Sequence, residues 1–309
     1  MRIASLSSFD ASVAQLQRRQ EALSTAQEKL TSGKRVLRPS DDPGDAARAE
    51  RALAAESRAN ASQRALDASR NAMQLTESAL GEGINLVQQA RELMVGAGNG
   101  SYTDKERAIN AQALRGLRAD LLALVNRGDG AGRFLFGGQG SDGPPFVDQP
   151  AVGVTYVATG GYTQAAAGEP TPLSLDGRAA WLQAPDPANP GATLSIFDVM
   201  DRVATELELP GRTSTEVALT VSTGLAQVDA SMDNISGWRA RAGEALNRID
   251  GIGTRLSQTK LDAQRDRSAA EDLDMVAAIS DFQSRQSGYD AALKTYSIVQ
   301  RMSLFEYVK

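Results

Sequence analysis

The sequence contains neither cysteine nor histidine. Their absence excludes disulfides, thiolate nucleophiles, imidazole bases and the usual zinc or iron ligands. The residue types that remain supply no set of nucleophile, base and orienting group, so we predict a non-enzymatic protein without catalytic residues, metal site or cofactor. Chance would account for the missing residue types, and so would export of the chain in an unfolded state.

The sequence also has few aromatic residues, no excess of basic charge and no long apolar run. Aromatics are 5% of the chain, while Ala, Leu, Gln, Arg and Glu dominate long stretches, which is typical of extended helical packing. The 33 basic and 38 acidic residues are interspersed, which argues against a nucleic-acid partner. No run approaches the roughly 18 apolar residues of a membrane span, and the N-terminus lacks the continuous apolar segment of a cleavable signal peptide. We therefore expect a helix-rich chain that binds neither nucleic acid nor membrane.

Proline placement sets one segment apart from the rest. Eight of the eleven prolines lie between Pro144 and Pro190, and proline is excluded from helix interiors. Alternating apolar residues over 152–156 predict a strand, and the run 173–177, Leu-Ser-Leu-Asp-Gly, predicts a hairpin turn. We predict a small β-rich insert at 141–192.

The rest of the chain has helical periodicity on both sides of the insert. A seam of apolar residues recurs every seven positions from Leu66 to Met94, and a capping box, Thr103 to Glu106, begins another helix. Ser195 is predicted to cap a short helix, and a strict four-three alternation predicts a long helix over about 215–260. The fold class is thus mainly α, an elongated and discontinuous helical bundle with a small β insert.

Both ends of the chain have coiled-coil stripes, with apolar residues at alternating three and four spacing. An isolated amphipathic helix is only marginally stable in water, so we expect these helices to pair with each other, with neighbouring subunits, or both. The predicted assembly residues are Leu6, Phe9, Val13, Leu16, Leu23, Leu30, Met275, Ile279, Phe282, Tyr289, Leu293, Tyr296 and Leu304.

A turn separates the first stripe from the second helix. Gly33 suits a left-handed helix end, the bases after it suit the negative end of the helix dipole, and Pro39 breaks the helix. Asp42 before Pro43 is the pattern of an N-cap followed by proline at the first helical position. Asp41 and Asp42 could also be considered as a paired-carboxylate site, but no third ligand accompanies them and capping explains them more simply.

These boundaries predict three parts. Terminal helices occupy 1–42 and 272–309. A long-helix bundle domain occupies 43–140 and 193–271, and a β-rich insert domain occupies 141–192.

Four runs resemble the flagellin family. The run from Leu30 to Ala47, Leu-Thr-Ser-Gly-Lys-Arg-Val-Leu-Arg-Pro-Ser-Asp-Asp-Pro-Gly-Asp-Ala-Ala, resembles the family's N-terminal signature, and its two prolines are similar to the hook-associated branch. Residues 89–100 resemble an inner-helix motif, and 134–138, Phe-Leu-Phe-Gly-Gly, resemble the junction before the variable outer domain. The C-terminal match runs from Tyr289 to Tyr307.

The resemblance implies a structural subunit of the bacterial flagellum at the junction of hook and filament, which allows flagellin to polymerise on the hook for swimming motility. It implies that the terminal helices at 1–42 and 272–309 are axial, form the assembly layer and line a channel, and that the β-rich insert at 141–192 is an outer domain. It also implies export by the flagellar type III apparatus to an extracellular location without a cleaved signal peptide. The implied partners are another hook-associated protein, flagellin subunits, further copies of the chain in a ring, and an export chaperone that holds the C-terminal region.

Two other functions remain open at this point. A filament flagellin would share most of these motifs, although the two prolines and the ending Tyr-Val-Lys argue against it. A soluble coiled-coil adaptor or signalling helix bundle would not need terminal helices that are unstable alone.

Overall fold

The computed structural model describes residues 2–150, 152–165 and 169–307, and side chains at the two ends are described from Asp10 to Ile298. The helices are α1 (Arg2–Ser32), α2 (Pro43–Ala97), α3 (Asp104–Val125), α4 (Gly177–Trp181), α5 (Ile196–Glu208), α6 (Ser214–Glu271) and α7 (Met275–Tyr307). The strands are β1 (Phe146–Gln149), β2 (Gly153–Tyr156), β3 (Ala184–Pro185) and β4 (Thr193–Leu194). The predicted fold class, mainly α with a small β insert, is confirmed.

Contacts divide the chain into two compact units. The terminal unit comprises residues 1–59 and 257–309, and the central unit comprises residues 60–256. Helices α2 and α6 contribute residues to both units. The β segment lies within the central unit, and the predicted division into three functional layers stays a prediction.

Local capping chemistry places the helix ends where the sequence predicts them. Thr103 and Glu106 form a reciprocal capping box at the start of α3, which satisfies two backbone donors of the first turn. The Ser195 hydroxyl accepts from the backbone N–H of Asp198 at the start of α5. The long helix predicted over about 215–260 extends further, to Glu271.

The hairpin predicted at 173–177 is wrong. Asp176 instead caps α4, and its carboxylate accepts from the backbone N–H of Ala179. The observed hairpin is β1–β2, in which Phe146 is opposite Tyr156. An Asp-Gly pair suits both a tight turn and a helix start, and burial of Trp181 at the end of α4 favours the helix here.

The core of the central unit is built from the predicted seam of α2. Its five apolar residues are all buried: Leu66, Met73, Leu80, Val87 and Met94. Small residues between them let other groups approach closely, and a side chain on Gly83 would overlap the Trp181 ring. Phe146 and Trp181 from the β segment belong to the same core cluster as residues of α3, α5 and α6.

The Arg118 side chain links the β1–β2 hairpin to α3 and α5. The Arg118 guanidinium binds Asp148 on β1 through two nitrogens, at 2.6 and 2.9 Å, and its Nε lies 2.6 Å from Asp201 on α5. Hydrogen bonding to Arg118 lowers the pKa of Asp148, whereas burial raises the pKa of Asp201. The hairpin is therefore held by aromatic packing beneath and by ion pairs at its edge.

Candidate assembly surface

Helices α1 and α7 pack against each other as an antiparallel pair. Arg19 donates from Nη1 to the backbone oxygen of Gly288, at 3.2 Å, near the middle of the pair. At its end, the backbone N–H of Leu273 donates to Gly33 O at 2.9 Å, and that of Arg35 donates to Glu271 O at 2.7 Å. The two ends of the sequence thus form one structural element.

The predicted assembly residues are only partly covered by this pairing. Half-buried side chains are Val13, Leu16, Leu23, Leu30, Phe282, Tyr289 and Tyr296. Met275, Ile279 and Leu293 are exposed, with 44%, 46% and 41% of their surface accessible. None of the ten is fully buried, so the pair retains an apolar surface after folding. The predicted residues Leu6, Phe9 and Leu304 lie outside the described side chains.

The fully buried side chains of the terminal unit are mostly small. Among its described residues, they are Val36, Ala52, Ala59, Ala263 and Ala270. Burial of one methyl group removes little apolar area from water, so these contacts stabilise the unit far less than a core of large side chains would.

An open groove of about 490 Å³ lies within the terminal unit, between its parts of α2 and α6. Alanines line its floor, Arg48 and Arg51 lie on the α2 side, and Asp262 and Asp266 lie on the α6 side. Arg48 is paired with Asp45, whereas Arg51 and Asp266 have no ionic partner among the residues that the structure describes. The groove therefore presents one unpaired charge of each sign on opposite walls.

The turn between α1 and α2 is fixed by carboxylates that bind backbone amides. Gly33 has the left-handed φ of +69° at the end of α1, where glycine is favoured. Asp42 Oδ1 accepts from the backbone N–H of Gly44 and Asp45, at 3.1 and 3.0 Å, at the start of α2, whose first residue is Pro43. The hydrogen bond from the Asp45 amide, and secondly the one from the Arg35 side chain, hold the pKa of Asp42 below its usual value.

Asp41 has a separate role from its neighbour in the same turn. Its Oδ2 accepts from the backbone N–H of Leu37 and Arg38, the two residues before Pro39, each at 3.0 Å. These bonds lower the pKa of Asp41. The two carboxylates thus serve different backbone donors and share no ligand.

An ion-pair cluster at this turn was missed by the sequence analysis, which assigned the bases after Gly33 to the helix dipole. Arg35 binds Asp42, Asp45 and the backbone oxygen of Ala270, and Lys34 binds Glu271 at 3.1 Å. Burial acts to raise the pKa of Glu271, but hydrogen bonds from Lys34 and Arg267 outweigh it and keep that pKa low. Lys34 and Glu271 lie 237 residues apart in sequence, and Arg35 and Ala270 lie 235 residues apart, so no local pattern indicates these two contacts.

Neither metal-binding clusters nor membrane-spanning helices are found in the part of the chain that the structure describes. Within residues 2–150, 152–165 and 169–307, no group of three or more acidic residues is arranged to hold a metal ion. No described helix combines the length and apolarity needed to cross a membrane.

Comparison with known proteins places these features in context. A family model, the bacterial flagellin N-terminal helical region, matches residues 4–141. Flagellar hook-associated protein 3 of Salmonella typhimurium is 29% identical over 302 residues, covering 90% of each chain. Its counterpart in Escherichia coli is 27% identical, covering 91% of this chain and 92% of that protein. A flagellin of Listeria monocytogenes is 26% identical over 281 residues, covering 86% of this chain and 84% of that protein.

Solved structures share the fold. A putative flagellar hook-associated protein from Vibrio parahaemolyticus aligns with a TM-score of 0.66 and 19% identity, covering 75% of this chain and all 100% of that one. FlgL of Xanthomonas campestris aligns with a TM-score of 0.59 and 18% identity, covering 71% of this chain and 99% of that one.

Proposed function

We infer that this chain, which is flagellin-like over residues 4–141 and similar to flagellar hook-associated protein 3 along nine-tenths of its length, is a structural subunit of the bacterial flagellum at the junction of hook and filament. Hook-associated proteins rank above flagellins among its curated relatives, both in identity and in coverage. The hook-associated function is thus favoured over that of a filament flagellin. The relatives named are structural flagellar proteins, and we propose no catalytic activity.

The incomplete burial of the terminal helix pair is the observation that carries the assembly mechanism. Seven stripe residues are half-buried and three are exposed after α1 and α7 have paired. Removing this apolar surface from water gains roughly 25 cal/mol per Å², which becomes available when further helices pack on the pair. We assign the ten described stripe residues, together with Leu6, Phe9 and Leu304, to contacts between subunits.

The groove in the terminal unit supplies a second, polar contact. An incoming helix with an acidic residue on one flank and a basic residue on the other would pair with Arg51 and Asp266. Opposite charges on the two walls would fix the direction in which that helix lies, because the reversed helix would meet like charges. Charge complementarity gives register to a contact whose affinity comes from the apolar stripe.

The partners follow from position in the flagellum. We propose contacts with another hook-associated protein on the hook side, with flagellin on the filament side, and with further copies of the chain in a ring. We also propose that an export chaperone covers the apolar C-terminal helix before secretion. The chain would then leave the cell through the flagellar export channel.

Gold-labelled antibody against this chain, viewed by electron microscopy on intact flagella, tests the proposed location. Label confined to one band between hook and filament supports the junction. Label along the whole filament would instead identify a filament flagellin, and flagella without label would contradict both assignments.

Loss of the chain gives a second readout with a different outcome for each function. Cells that lack it should assemble hooks and release flagellin into the medium, because the surface on which flagellin polymerises is missing. If filaments still form on the hooks, the chain is not required at the junction.

A further inference from the structure

The turn between α2 and α3 contains a chemically distinctive pair of residues. Asn99 is followed by Gly100, and no other asparagine of the chain precedes a glycine. Both residues are exposed, in the short segment that connects the end of α2 at Ala97 with the capping box at Thr103. This pair plays no part in the proposed assembly surface.

The local geometry leaves the reacting atoms accessible. Asn99 Oδ1 accepts from the backbone N–H of Ser101 at 3.2 Å and from its hydroxyl at 2.9 Å, and both donors polarise the side-chain carbonyl. Within the described residues, the Gly100 backbone N–H donates to no acceptor, and glycine has no Cβ to shield its nitrogen. An electrophilic carbon and an unhindered nitrogen are therefore adjacent in sequence and open to water.

The other asparagines are held in ways that disfavour the same reaction. The Asn126 side chain exchanges two hydrogen bonds with the backbone of Phe146, and the Asn234 side chain donates to two backbone oxygens. Asn189 precedes a proline, whose nitrogen carries no proton. In helices, the following backbone N–H groups are engaged in helical hydrogen bonds, and this applies to Asn60, Asn71, Asn85, Asn110 and Asn247.

We propose that Asn99 is a site of spontaneous deamidation, with water as the co-reactant. The Gly100 nitrogen loses its proton and attacks Asn99 Cγ, so that a new C–N bond forms while the bond to Nδ2 breaks. Ammonia leaves with a proton from solvent, and the resulting five-membered imide takes up water at either carbonyl. The products are aspartate or isoaspartate, and no oxidation or reduction takes place.

The product changes the end of α2. A carboxylate at residue 99 lies next to the negative end of the helix dipole, where anions are disfavoured. The backbone amide of Asn99 donates to Gly96 O, and the amide of Gly98 donates to Met94 O. Isoaspartate adds one methylene to the main chain at this helix end, so the modified turn cannot keep its present length.

Ageing the folded, full-length protein in mildly alkaline buffer tests the proposal. Peptide mass mapping follows replacement of the side-chain NH₂ by OH, and an isoaspartate-specific methyltransferase with a labelled methyl donor detects the rearranged product. We expect conversion at Asn99 to exceed that at helical Asn110 by at least an order of magnitude, because the Gly100 nitrogen is unhindered. Equal conversion at the two asparagines would overturn the proposal.

Gly100→Ala is the matched variant. Its new Cβ would lie 3.5 Å from the Ser214 Cβ, an ordinary van der Waals contact, so the fold should be kept, as circular dichroism would verify. Conversion at Asn99 should slow severalfold in this variant because the Cβ hinders the attacking nitrogen. An unchanged rate in a folded Gly100→Ala protein would show that the neighbouring glycine is not the cause.

Discussion

The two units of this chain differ in what they bury. The central unit has a core of large side chains, among them Trp181, Phe136, Phe197 and Met73, each almost inaccessible to solvent. In the terminal unit, the buried side chains that the structure describes are four alanines and Val36, while the described leucines and tyrosines and Phe282 are at best half-buried. Fully buried leucine, methionine and aromatic side chains are therefore found in the central unit but not among the described residues of the terminal unit.

This difference indicates a division of labour along one sequence. A unit with aromatic and aliphatic side chains removed from water can fold on its own, because that burial offsets the loss of conformational entropy. A helix pair such as α1 and α7, whose described apolar side chains are at most half-buried, gains most of its stability when another surface covers it. Changes in the two units should therefore affect different properties of the protein.

The largest expected effect comes from a charge in the apolar stripe. Leu293→Asp should abolish incorporation into flagella and swimming, because an unpaired carboxylate would be buried at a contact between subunits. Since 41% of Leu293 is exposed within the chain, the isolated protein should keep its fold by circular dichroism. Cells that carry Gln283→Asp, a change at an exposed polar position of the same helix, should swim normally. Normal swimming by cells that carry Leu293→Asp would contradict the assembly role.

Truncation of a buried side chain in the central unit should lower the stability of the protein. Trp181→Ala should lower the free energy of unfolding by about 3–5 kcal/mol, through lost burial and the cavity left behind. Val276→Ala in α7, where 79% of the side chain is exposed, should change it by less than about 0.5 kcal/mol. Denaturant unfolding followed by circular dichroism measures both, and equal losses would remove the distinction between the units.

Two helical glycines of the central unit allow a comparison of a packed position with an open one. Gly83→Ala should destabilise by about 1–3 kcal/mol, because the added Cβ overlaps the Trp181 ring. Gly116→Ala in α3 meets no atom within 4 Å and should instead stabilise by about 0.5–1 kcal/mol through helix propensity. The unfolding temperatures of the two variants should shift in opposite directions. A higher unfolding temperature for Gly83→Ala would show that the contact between Gly83 and Trp181 is loosely packed.

The smallest effect should appear at alkaline pH. Burial raises the pKa of Tyr156 to about 12, from an ordinary value of 10.0, and its hydroxyl donates to Phe136 O at 3.0 Å. The pKa of Tyr156 is higher in the folded state than in the unfolded state. Its contribution to the free energy of unfolding is therefore fully present below pH 10 and is lost as pH rises toward 12. Tyr156→Phe should reduce the loss of stability between pH 10 and 12. If the free energy of unfolding falls with pH as steeply as before, other groups cause the loss.

Local chemistry made much of this fold predictable. Pro43 after Asp42, the capping box at Thr103 and the seam of α2 each express one short-range rule, and each is found where expected. Asp176 was misassigned because the same Asp-Gly pair suits a turn and a helix cap, and only packing of Trp181 decides between them. The pairing of Lys34 with Glu271 joins distant parts of the sequence and leaves no periodic signal.

The candidate surface was predictable only in part, for a related reason. A stripe at heptad spacing indicates an apolar helix face but not what covers it, and the half-burial of Leu16 or Tyr296 becomes visible only in the folded chain. The unpaired charges of Arg51 and Asp266 likewise depend on two helices being side by side. Which neighbouring subunit covers each face stays a prediction.

Amide hydrogen exchange of the purified monomer tests the contrast between the units most directly. Exchange reports local opening, so the free energy of protection can be compared segment by segment. We expect fast exchange in α1 and α7 and slow exchange in the buried helices of residues 60–256, with protection of α1 and α7 rising on assembly. Equal, strong protection of all helices in the monomer would contradict this, and would instead indicate a self-contained coiled-coil protein whose terminal helices need no partner.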